Sequence, residues 1–128
     1  MPTLAVVVAV AVGGALGAVL RLAVTVAGAR LVAGGPWAGL PVGTLVVNVA
    51  GTLALAALVA SGERLPGGPL LRTFLATGVL GALTTFSTFA VDAHGLVLAG
   101  EGGRAAAYVG ATLLLAGGAV LLGTALGR

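Results

Sequence analysis

The sequence has no cysteine, one histidine, three acidic residues and few aromatics, and charged residues make up only 7% of its 128 positions. Without cysteine there is neither a disulfide framework nor a thiolate metal site. His94 has no second histidine or cysteine with which to hold a metal, and its neighbour Asp92 reads as part of an interfacial, solvated end of a helix. Ser87 has no base nearby in sequence to activate it, so hydrolytic chemistry is not indicated and the chain does not read as an enzyme. The basic residues are six arginines, giving a net charge of +3 and a pI near 11.3, but no aromatic and basic residues interleave. Nucleic acid is therefore excluded as a partner, and the positive balance speaks for contacts of loops with a membrane surface.

What the chain has in abundance is apolar length. It is 59% hydrophobic with a mean hydropathy of +1.23, outside the range of soluble domains, which makes it an integral membrane protein. No charged side chain occurs between Arg30 and Glu63, from Thr73 to Val91, or from Ala105 to Gly127. Gly/Pro clusters at 34–41 (GGPWAGLP) and 61–69 (SGERLPGGP), and GEGGR at 100–104, punctuate these runs. They predict one all-α transmembrane domain over 1–128, with helices at about 3–27, 42–60, 70–98 and 104–126 and both termini on one side. A cleaved leader needs basic residues ahead of its apolar run, and none precedes Arg21, so the first segment reads as a span.

Orientation in a bilayer follows the arginines of the short loops. Arg21, Arg30 and Arg104 fall on one side and Arg64, Arg72 and Arg128 on the other, three against three. With no bias to read, molecules are expected to insert both ways, which allows an antiparallel homodimer in the lipid bilayer. A lone four-helix chain has little interior for polar groups, and lipid offers them no hydrogen bonds, so a second copy also supplies partners.

The few polar side chains are ordered. Gly13, Gly17 and Arg21 recur at intervals of four, leaving one bare face on the first helix. Arg21 either snorkels to the interface or faces an aqueous vestibule. Thr44, Asn48 and Thr52 fall at i, i+4 and i+8 of the second helix, either as glue between helices or as part of an ion path. Tyr108 and Thr112 share a face of the fourth. The third helix carries GALTTFSTF at 81–89, where Gly78, Gly81 and adjacent threonines predict a break at Gly81 to Thr85. Irregular backbone at membrane depth survives only in protein or along a cavity. Phe86 and Phe89, three apart, either pack or turn their positive ring edges toward an anion.

The segments GGALGAVLR (13–21), GTLVVNVAG (43–51) and GALTTFSTF (81–89), in this order and in a chain of this size, resemble the signature segments of the Fluc/CrcB family of fluoride channels. The resemblance implies a dual-topology antiparallel dimer in the inner membrane of a prokaryote, exporting fluoride passively, with a structural sodium ion at the dimer centre. It implies that Asn48 contacts the permeating ion, that Phe86 and Phe89 supply ring edges, and that Ser87, Thr88, Thr44, Tyr108 and Thr112 form the polar track. Arg21 takes the vestibule position, and the backbone carbonyls of Gly81 and Thr84 hold the sodium. The pattern departs at Leu22, Ala82 and Ala116, the last of which shortens the track on the fourth helix. The competing reading is a small proton-coupled multidrug exporter, which needs a membrane-embedded carboxylate, usually in the first helix; that helix has none. A third, a non-transporting assembly subunit, leaves Asn48 and the phenylalanines without a role.

Overall fold

The computed structural model of the chain describes residues 2–64 and 66–128, the side chain of Glu63 excepted; Leu65, in the second Gly/Pro cluster, lies outside the described residues. Helix α1 covers Leu4–Val32 and is capped by Thr3, whose hydroxyl accepts the Val6 N–H at 3.4 Å. Helix α2 covers Val42–Ala60. Their connection is built on the Gly/Pro cluster, with Gly34 and Gly39 at positive φ. Helix α1 runs past 27 to Val32 because nothing in residues 28–32 breaks it: Gly28 is buried face to face with Gly43 of α2, where an added Cβ would stand 2.6 Å from the Gly43 nitrogen. The helix stops only where the glycines and Pro36 begin.

A 3₁₀ turn at Gly62–Arg64 leads to α3, Gly68–Thr73, which has Pro69 in its first turn. α3 passes directly into a π-helical segment, Phe74–Leu80, and then a three-residue α-turn, Gly81–Leu83. Thr84 (φ −77°, ψ 153°) and Thr85 (φ −154°, ψ 118°) are extended, and α4, Phe86–Leu98, begins after them. α4 ends on Gly100 at φ 78°, with the Glu101 N–H on the Leu96 carbonyl (2.9 Å) and the Gly100 N–H on Val97 (3.0 Å). That crossed pair satisfies the last carbonyls and lets α5, Gly102–Gly127, start at once.

The described residues contain no strand, and four segments are long and apolar enough to cross a membrane: Leu4–Val32, Val42–Ala60, Gly68–Leu98 and Gly102–Gly127. The chain is a multi-pass membrane protein. Its packing is inverted relative to a soluble domain. Leu4, Val19, Leu114 and Leu121 are exposed, whereas the hydroxyl-bearing Thr44, Thr85 and Thr112 are buried with Val47, Phe89 and Tyr108. Lipid accepts the first group and would leave the second without partners. Helices α2 and α5 lie against each other through Gly123 and Gly127, where an added Cβ would run into the Leu53 and Ala57 carbonyls.

Candidate functional site

The break between Leu83 and Phe86 is held by one side chain. Asn48 of α2 donates from Nδ2 to the Thr85 carbonyl at 3.0 Å and accepts the Thr85 N–H on Oδ1 at 2.7 Å. In a continuous helix the Thr85 N–H would bond the Gly81 carbonyl; diverted to Asn48, it leaves that carbonyl without its helical donor. Asn48 keeps one amide hydrogen beyond these two bonds, so gluing the break and offering a donor to a ligand are compatible. Thr84 turns its hydroxyl back to the Leu80 carbonyl (3.0 Å) and presses its methyl on Gly51.

Thr85 then acts as N-cap of α4. Its hydroxyl accepts the Thr88 N–H at 3.2 Å and reaches the hydroxyls of Thr88 (3.1 Å) and Ser87 (3.3 Å). Three neighbouring hydroxyls are thereby tied to one point beside Asn48. The two phenylalanines sit side by side, ring centroids 5.8 Å apart and tilted by 49°, but in unequal surroundings. Phe86 is 79% exposed on the face of the chain; Phe89 is 8% exposed and leans on Tyr108 at 5.4 Å. Their three-residue spacing alone does not distinguish them. Tyr108 is buried, its hydroxyl without a well-formed hydrogen bond among the described residues, and the Thr112 hydroxyl donates to the Tyr108 carbonyl at 2.8 Å.

Two cavities flank this arrangement. The inner cleft, about 470 Å³, is lined by Asn48, Thr52, Gly81, Thr84, Thr85, Phe86, Phe89, Thr112, Leu113 and Ala116. The outer one, about 460 Å³, brings Arg21 and Thr25 of α1 together with Thr44, Thr88 and Asp92. The stripe of α2 thus joins them, Thr44 in the outer cavity and Asn48 with Thr52 in the inner cleft.

Asp92 is the residue that sequence reasoning placed at a solvated helix end beside His94. His94 is exposed, but Asp92 is half-buried and accepts the Thr44 hydroxyl at 2.7 Å, across the outer cavity from Arg21. The signal was available: Asp92 lies four residues after Thr88, on the same helical face. Thr25, whose hydroxyl bonds the Arg21 carbonyl at 2.9 Å, is one turn beyond Arg21 and lines the same cavity. No cluster of three or more His, Cys, Asp or Glu capable of holding a metal exists among the described residues. At the outer-cavity end of the bundle Arg104 pairs with Glu101 at 2.7 Å and donates to the Ala38 carbonyl at 2.5 Å, fastening the first loop to α5.

Residues 8–124 match the family described as CrcB-like protein, Camphor Resistance (CrcB). The chain is 45% identical over 124 residues to a Rhodospirillum centenum protein, covering 95% of this chain and 94% of the relative. It is 45% identical over 122 residues to one from Paracoccus denitrificans (93% and 91% covered) and 42% identical over 117 residues to one from Deinococcus radiodurans (91% and 90%). All three relatives carry the name fluoride-specific ion channel FluC.

Proposed function

The chain belongs to the CrcB-like family, and from that premise we propose that it is a fluoride-selective channel, not an enzyme, letting the anion leave a prokaryotic cell passively through the inner membrane. The inner cleft carries this reading. Its lining combines the Asn48 amide, which keeps one free hydrogen, the Thr52 hydroxyl and the rings of Phe86 and Phe89 with Thr84, Thr85 and Thr112, whose hydroxyl protons would have to turn from Leu80, Thr88 and Tyr108 to reach an ion, and none of its side chains is acidic. Fluoride gives up tightly held water only to donors, and ring edges hold an anion without trapping it. Arg21 draws anions into the outer cavity, where Thr44 and Thr88 begin the polar track that Ser87, Tyr108 and Thr112 continue. A negative-inside potential drives exit by about 2.3 kcal/mol per charge per 100 mV.

A second copy, inserted in the opposite orientation, completes the site in this proposal, and the break in the third span lies at mid-membrane. Three features support the pairing: the balanced arginines, the exposed Phe86 beside hydroxyls, and the exposed Gly81. In lipid the Ser87 hydroxyl and the Gly81 carbonyl would be left facing hydrocarbon. A structural sodium ion fits the same place. A hard cation takes oxygen ligands, the Gly81 carbonyl has lost its helical donor to Asn48, and Thr84 directly precedes the diverted peptide. Two subunits would contribute the Gly81 and Thr84 carbonyls twice over, and the ion's charge would join them. The exporter alternative lacks both its carboxylate in α1 and any family support.

Purified protein in proteoliposomes loaded with sodium and potassium fluoride releases fluoride to an electrode when valinomycin shunts the potential, and releases far less chloride. No fluoride release, or equal chloride release, overturns the proposal. Because the chain has no cysteine, Ala38→Cys and Ser61→Cys supply single labels on opposite loops. Each is modified to about one half by an impermeant reagent outside the cell if insertion is dual; complete labelling of one and none of the other sinks that part alone.

A further inference from the structure

The first half of the third span is wide where the rest is narrow. Over Phe74–Leu80 the backbone is π-helical, and the Gly81 N–H reaches five residues back to the Ala76 carbonyl as well as to Gly78. Such a turn holds about one residue more than an α-turn and is rare. What it packs against is equally specific. An added Cβ at Gly13 would stand 2.7 Å from the Phe74 carbonyl oxygen and 3.0 Å from the Gly78 Cα, and one at Gly17 would collide with the Val79 carbonyl oxygen. Phe74 and Val79 are five apart. In an α-helix five residues put two carbonyls about 140° out of line, whereas a π-turn puts them on one side. Two glycines one α-turn apart on α1 therefore receive two carbonyls that face them together only in the wide register.

We propose that Gly13 and Gly17 are positioning residues: they select the π register of Phe74–Leu80 and through it set Thr85 against Asn48. The chain of contact is short. The π segment ends where the Gly81–Leu83 turn begins, and Thr85 follows two residues later, held by both bonds of the Asn48 amide. If the segment tightened to α at constant length, everything after it would turn by about 100° and advance about 1.5 Å, one residue's worth. Thr85 would leave Asn48. A methyl group on Gly17 forces that choice, because the Val79 carbonyl cannot stay where the Cβ must go. Gly14, next in the chain, has no atom within 4 Å of an added Cβ and reads nothing.

The proposal rests on the fluoride reading only for its flux measurement. Gly17→Ala, Gly13→Ala and the control Gly14→Ala are compared with wild type by fluoride efflux, chloride efflux and hydrogen exchange of the Thr85 amide in detergent. Gly17→Ala is expected to lose the exchange protection of Thr85 and to conduct fluoride about tenfold more slowly, with Gly13→Ala intermediate and Gly14→Ala unchanged. Wild-type protection of Thr85 in Gly17→Ala overturns the proposal, as does a loss of protection in Gly14→Ala equal to that in Gly17→Ala. Where Gly17→Ala fails to fold, Gly13→Ala carries the test, because its Cβ would meet the Phe74 carbonyl of the same segment: reduced protection of Thr85 supports the coupling and wild-type protection overturns it. A wild type that conducts no fluoride would refute the channel reading and leave the exchange test standing.

Discussion

The two halves of the third span use opposite means to stay in place. Phe74–Leu83 is fixed by its backbone: bare carbonyls and Cα atoms lie on the glycines of α1, and little but shape holds them. Phe86–Leu98 is fixed by side chains, with Phe89 and Leu96 in a buried cluster with Tyr108 and Ala105, and with Thr85 capping its start. The first half is thus sensitive to atoms added on its neighbour. The second is sensitive to atoms removed from itself. Between them the Asn48 amide joins two pieces of chain that have no hydrogen-bond ladder in common.

The largest effect should come from cutting that joint. Asn48→Leu leaves the Thr85 N–H and carbonyl unpaired at about 1–3 kcal/mol each. Fluoride efflux is expected to vanish and thermal stability in detergent to drop; efflux within twofold of wild type would show that the two halves hold themselves. Next come the phenylalanines, which separate packing from conduction. Phe89→Ala empties a buried site at a cost of about 3–5 kcal/mol, whereas Phe86→Ala, at a position exposed on the single chain, costs that chain's own fold little. Both should slow fluoride efflux, and a Phe86→Ala protein that conducts normally would return that ring to a surface role.

Thr85→Val tests the cap of the second half alone. It keeps the backbone bonds to Asn48 and loses about 1 kcal/mol of capping, read as a small drop in melting temperature. The smallest change is electrostatic. Asp92→Asn keeps an acceptor for the Thr44 hydroxyl while removing the negative charge opposite Arg21. Fluoride efflux should rise about two- to tenfold at low salt and converge on wild type at high salt; a fall would mean that the carboxylate, not its charge balance, serves the pathway.

How much of this was legible beforehand follows from the range of each interaction. Four apolar runs, their Gly/Pro punctuation and the Thr44, Asn48, Thr52 stripe are matters of period and composition, which a sequence carries locally. So was the disturbance around Gly81 to Thr85, since glycines and paired threonines weaken a helix wherever they stand. Asp92 was misjudged because its partner, Thr44, is 48 positions away and periodicity names a face without naming what lies on it.

The sequence by itself determined an all-helical membrane chain with its polar groups gathered on inward faces, because hydrocarbon rejects unpaired donors regardless of tertiary detail. Only the tertiary structure decided that Asn48 grips the peptide of Thr85, that Phe89 is buried while Phe86 is not, and that the third span widens against Gly13 and Gly17. Those outcomes depend on the rotation and approach of helices distant in sequence, and close packing discriminates at the scale of a single methyl group.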